Sequence, residues 1–159
     1  MRLKTEALTE TESIRLEQLL TASRRGMRSA KAIKDIHHNL AEFGGSHEDI
    51  QHHYLARFRE SMQSCLSDLY SLPSRFEQTD SKVIFEELAS TRTRLARRHD
   101  AIHENIYSDV REERVDESLV STLLNVNREM YTCQLWLVLA LADYHLPLEQ
   151  AGQLEQLSL

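Results

Sequence analysis

The chain has 159 residues, 41% of them hydrophobic and 28% charged, with a formal net charge of −6. That is enough apolar residue for one packed domain, which excludes an intrinsically disordered chain, and the acidic balance argues against general nucleic-acid binding. Only four glycines and two prolines interrupt it, so its elements are expected to be few, long and helical.

Thr9 and Glu12 have the spacing of a capping box and predict a first helix over 9–43. Its apolar residues Ile33, Ile36, Leu40 and Phe43 recur at three and four, which is one face of an amphipathic helix. Asp35 and Asn39 stand four apart and so side by side, while His37 borders the apolar face and His38 points away from it. Gly44 and Gly45 are expected to end the helix with a left-handed C-cap, and Ser46 to cap a second helix over 47–72. There Leu55, Phe58, Met62, Cys65, Leu69 and Leu72 make an unbroken seam that Pro73 closes.

A third helix over 80–113 starts at Asp80 or Ser81, and its stripe reads Leu88, Arg92, Leu95, His99, Ile102, Ile106. Asp116 caps a fourth over 117–145, with Leu119, Leu123, Asn127, Met130, Gln134, Leu137 and Leu141 on one face and a second line, Leu124, Tyr131, Leu135, Val138 and Ala142, beside it. Pro147 opens a tail helix over 147–157, with Leu148, Ala151 and Leu154 on one side. Short connectors imply antiparallel neighbours. The expectation is therefore a single all-α domain over 1–159: an antiparallel bundle of three to four long helices with a short C-terminal helix. Leu40, Leu55, Phe58, Met62, Leu69, Leu95, Ile102, Leu123 and Met130 are the expected core.

The longest apolar run, Leu135 to Ala142, is far short of the about 20 residues a spanning helix needs, and the N-terminus has no apolar leader segment. Cys65 and Cys133 both fall on apolar faces, which suits a reducing compartment and a cytoplasmic location.

His37, His99 and Asn127 are candidates for one buried polar layer, either an anion or metal site or a hydrogen-bonded layer that fixes helix register. The register reading is preferred, because no independent ligand spacing accompanies it. His99 and His103 share a helix face, as do Asp100 and Glu104, which is a spacing zinc or iron can use. Yet no helix offers the Glu-x-x-His spacing of di-iron bundles. His99 and His103 are each followed by an acid, but His103 and Tyr107 stand where a phosphorelay helix has Asn or Thr, so neither fits that pattern. Arg92, Arg94, Arg97 and Arg98 form a basic segment that reads as a solvated face. There is no Gly-rich phosphate loop and no Ser-His-Asp or Cys-His arrangement, so no catalytic residue is assigned, no cofactor is expected, and the chain is not read as an enzyme.

The stretch Ile33-Lys34-Asp35, three residues, Asn39-Leu40-Ala41-Glu42 resembles the repeated helix motif of the PhoU family, helical-bundle proteins that restrain phosphate uptake. More closely, Arg24 to Asn39 and Leu123 to Arg128 are similar to the PhoU-like domain that follows the membrane part of bacterial sodium/phosphate cotransporters. The resemblance implies a three-helix core with the additional helix alongside, and a regulatory or accessory domain at the inner face of the membrane. Its implied partners are the transporter's membrane part or a second copy, with Asp35 and Asn39 as motif positions. The family's metal pattern is an acid, three residues, then Asp. Lys31 holds the acid's place here, and an ammonium repels a cation, so no tightly bound metal is expected. Were one bound, His37, His99 and His103 are the ligands to test.

From Leu135 to Ala142 the fourth helix is apolar all round, more than one bundle stripe needs. Leu135, Trp136 and Leu139 are therefore the expected partner surface, with Trp136 as anchor. A His/carboxylate metal-binding bundle and a free-standing helical adaptor are the alternatives.

Overall fold

A computed structural model describes residues 8–72 and 80–157. Among them are five helices and no strand: α1 Glu10–Gly45, α2 Asp49–Tyr70, α3 Ser81–Arg111, α4 Glu117–His145 and α5 Leu148–Gln156. This is the all-α bundle with a short C-terminal helix that the periodicity implied. Pro73 and the connector after it lie outside the described residues.

The helix starts are written locally. At α1, Thr9 Oγ1 accepts from the Glu12 N–H at 3.3 Å, and the Glu12 carboxylate accepts from the Thr9 N–H at 2.9 Å. These bonds to Thr9 hold the Glu12 carboxyl below its usual pKa. At α3, the Asp80 carboxylate accepts from the Lys82 N–H at 3.0 Å. Asp116 sits at the N-cap of α4 without a side-chain cap bond.

The α1–α2 turn departs from expectation. The helix continues through Gly44 and Gly45, and the chain leaves it through an extended Ser46 at φ −71°. No described glycine has a positive φ. An extended exit needs no left-handed residue, so the freedom of the glycine pair goes unused. Glu48, not Ser46, is the N-cap of α2, and Ser46 Oγ instead accepts from the Glu48 N–H at 3.0 Å.

α4 packs along α1 and against α3, while α2 docks more sparsely onto α1, α3 and α4. The cross-helix bonds fix the directions. Gln18 Nε2 donates to the Leu146 carbonyl and Ser29 Oγ meets Cys133 Sγ, so α1 and α4 run antiparallel. Tyr54 with Asp109 and Asp68 with Arg94 do the same for α2–α3, and Asn127 with His99, across the short connection from Arg111 to Glu117, does so for α3–α4. α2 and α4 are consequently parallel.

The core forms two clusters. One gathers Ile36, Phe43, Tyr54, Phe58, Ile106 and Leu123; the other gathers Cys65, Leu88, Leu95, Val138, Ala142 and Leu154. Of the expected core, Leu40 and Met62 are only partly buried, and the other seven are fully inside. Burial pushes the Cys65 thiol up to about 12 and that of Cys133 also upward, so both stay protonated and act as small hydrophobes.

Along α4 the buried face changes. Leu123, Asn127, Met130 and Gln134 are buried as expected, but beyond them Val138, Leu139 and Ala142 are the buried residues, and Leu137 and Leu141 are only partly covered. The steps of three and four from Leu123 to Leu141 cover 18 residues in five turns, so the counted stripe itself stays in line. What changes is the packing: Leu146 and, on α5, Ala151 and Leu154 share the cluster of Val138, Leu139 and Ala142.

Candidate functional site

The polar candidates do not assemble as one layer. His37 lies on an exposed part of α1, and His99 is half-buried with its ring 4.8 Å from that of Tyr131. Asn127 is buried and does bridge helices, but its Nδ2 donates to the His99 backbone carbonyl at 3.0 Å rather than to the imidazole. The bond gives the buried Asn127 amide a partner and links α4 to α3. His103 is exposed, its ring stacked with that of His99 at 6.1 Å. Among the described residues no three His, Cys, Asp or Glu side chains stand together so as to hold a metal ion, so His37, His99 and His103 are not brought together. The motif residue Asp35 is exposed and Asn39 half-buried, and neither enters a site among the described residues.

The basic segment is not a solvated face. Arg92 is buried and its Nη1 donates to the Leu154 carbonyl of α5. Arg94 Nε and Arg98 Nη2 both reach Asp68 Oδ2 of α2, at 3.2 and 3.1 Å. Only Arg97 faces water. These arginines fasten α2 and α5 to α3, a use that depends on partners far off in sequence.

Two further polar knots had no sequence signal. Tyr54 is buried and its hydroxyl donates to Asp109 Oδ2 at 2.6 Å, while Arg114 Nη2 pairs with Asp109 Oδ1 at 2.8 Å. Burial, together with the bond to Asp109, raises the Tyr54 pKa. At the α1–α4–α5 junction, the buried Arg25 pairs through Nε with Asp143 at 2.8 Å and through Nη2 with Glu155 at 2.9 Å. Burial raises the Asp143 pKa against the opposing pull of Arg25.

The expected interface residues are occupied within the fold. Leu139 is buried in the core, in the cluster it shares with Leu146 and with Ala151 and Leu154 of α5. Leu135 packs against the same cluster. Trp136 is half covered by the guanidinium groups of Arg28 and Arg25, 4.9 and 5.8 Å from its ring. It is a packing residue of the α1–α4 seam and not a free anchor.

A different surface lies open. Leu137, Ala140 and Leu141 on α4 face Leu66, Leu69 and Tyr70 on α2 across an open groove of about 660 Å³. Leu66 is 49% exposed and Tyr70 89%. Ser67 supplies a hydroxyl, and no charged side chain lines the groove among the described residues. Each helix contributes residues at i, i+3 and i+4, the pattern of one helix face. Because the two helices run parallel, the groove is a straight trough with an apolar wall on either side. The sequence carried its signal in Leu66 and Tyr70, which flank the seam of α2, and in Leu137 and Leu141, which were assigned inward.

No known protein family, curated protein or solved structure matches this chain. No helix among the described residues is long and apolar enough to cross a membrane. Chemically, the groove suits an apolar helix laid between α2 and α4.

Proposed function

We propose that this chain is a non-enzymatic accessory domain that regulates a membrane transporter by docking one of its apolar helices in the α2–α4 groove. Sodium-dependent phosphate transport is the process to which the α1 motif points. The observation that carries the docking is the groove itself: Leu66 and Tyr70 exposed on α2, facing the partly buried Leu137, Ala140 and Leu141 of α4, with no charged side chain among the described residues that line it. Within the bundle α1 and α3 each pack along α4, and α2 lies alongside all three. The metal-binding alternative finds no support in the positions of His37, His99 and His103.

A photo-crosslinking side chain at Leu66, in cells that express the chain with its cotransporter, tests the reading. The expected product is an adduct with the transporter's membrane part, formed from Leu66 and not from a control position at exposed Arg97. No transporter adduct, or equal adducts from both positions, would reject it.

A further inference from the structure

Helix α1 has a second apolar face. The residues turned into the bundle are Gln18, Arg25, Ser29, Ala32, Ile36 and Phe43. At 100° per residue, Leu16, Leu20, Ser23, Met27 and Ala30 lie on the opposite side, within about 40° of one line. All five are exposed, with Leu16 at 46%, Leu20 at 48% and Met27 at 65%. Their spacing of four, three, four, three is the heptad seam by which one helix packs against another. Ser23 fits such a seam, because its hydroxyl already donates to the Leu19 carbonyl at 2.9 Å.

The charges beside this seam name its occupant. Taking Leu16 and Ser23 as d positions, the flanking e positions are Glu10, Glu17, Arg24 and Lys31: two acids, then two bases. All four are exposed, and among the described residues none of them makes an ion pair. Lay a second α1 antiparallel, with Leu20 against the partner's Ser23 and Leu16 against the partner's Met27. Glu17 then meets the partner's Arg24, and Glu10 the partner's Lys31, and the two-fold axis repeats both pairs. A parallel pairing would instead set Glu17 against the partner's Glu12, like charge against like. An anionic membrane surface would find acids along half of the stripe.

Gly26 agrees with this. A glycine within a helix weakens it, and a Cβ built at Gly26 would meet nothing within 4 Å. Packing within the chain therefore gives no reason for it. In the antiparallel register Gly26 lies opposite the partner's Leu19, where a missing side chain lets the helices approach.

We propose that the chain forms a two-fold homodimer through an antiparallel α1–α1 seam of Leu16, Leu20, Ser23, Met27 and Ala30, flanked by the pairs Glu17–Arg24 and Glu10–Lys31. The interface is isologous, as two-fold symmetry requires. It lies on a different helix from the α2–α4 groove, so a dimer leaves both grooves open, and its test is independent of the transporter reading.

Sedimentation equilibrium of the full chain, up to roughly 200 μM, decides the matter. The expected result is a dimer whose Kd rises about tenfold or more in Leu20→Glu and in Arg24→Glu. The double variant Glu17→Arg with Arg24→Glu should return the Kd close to the wild-type value. These positions are exposed, so each variant should keep the melting temperature of the monomer. A wild-type chain that stays monomeric throughout overturns the proposal. So does a dimer indifferent to Leu20→Glu and Arg24→Glu, and so does a charge swap that fails to restore association.

Discussion

Leu95→Ala is expected to lower the unfolding free energy by about 2–5 kcal/mol. Leu95 is fully buried at the middle of α3, in the cluster that holds Cys65, Leu88 and Val138. Its removal takes away the transfer free energy of the side chain and leaves a void that close-packed neighbours on α2 and α4 fill only in part. In a chain of this size the melting temperature should fall by roughly 2–4 °C for each kcal/mol. Leu66→Ala is the matched control: the same chemistry at a half-exposed groove position, with an expected change of about 0.5 kcal/mol or less. Denaturant unfolding of the two variants measures both. A loss at Leu95 no larger than that at Leu66 would mean that α3 does not present this face to the core.

Arg25→Ala should cost about 3–5 kcal/mol at neutral pH, because it leaves the Asp143 carboxylate buried without its cation. The effect has a definite pH dependence. The folded-state pKa of Asp143 is already raised by burial, so the stability tied to this group is present below its unfolded pKa and is lost as pH rises through the folded value. Removing Arg25 takes away the one opposing influence and moves that loss to higher pH. The difference between wild type and Arg25→Ala should therefore shrink as the solution is acidified and Asp143 takes up a proton. Replacing both partners, as Arg25→Met with Asp143→Leu, should be close to neutral, since the cost arises from an orphaned charge and not from absence of the pair. A penalty for Arg25→Ala that stays constant from neutral to acid pH would show that Asp143 is not the group left stranded.

Much of the fold was legible because helix signals are local. The Thr9–Glu12 box, the Asp80 cap and the three-and-four spacing of Leu55, Phe58, Cys65 and Leu69 each act within a few residues, and the helices begin and end within two residues of the expected positions. The site was less legible for two reasons. Long-range polar partners leave no mark in the local pattern: Arg25 and Asp143, or Arg98 and Asp68, look like solvent charges until the helices are packed. The count of threes and fours holds its line from Leu123 to Leu141, yet the buried face moves from that line to Val138, Leu139 and Ala142, because Leu146 and α5 pack on that side. All eight residues from Leu135 to Ala142 are buried or partly buried, so the apolar excess of α4 is largely covered within the fold. Which of them went deepest depended on where α1, α3 and α5 lay against it.

Sodium-dependent phosphate uptake, followed with labelled phosphate in cells that express the cotransporter with or without this chain, tests the docking account most directly. Leu66→Asp with Tyr70→Asp places two charges in the groove at exposed positions, so the fold should survive with its melting temperature unchanged. The account predicts that the wild-type chain alters uptake and that the doubly substituted chain behaves as though absent. Uptake that is the same with the wild-type chain, the substituted chain and no chain at all would contradict it.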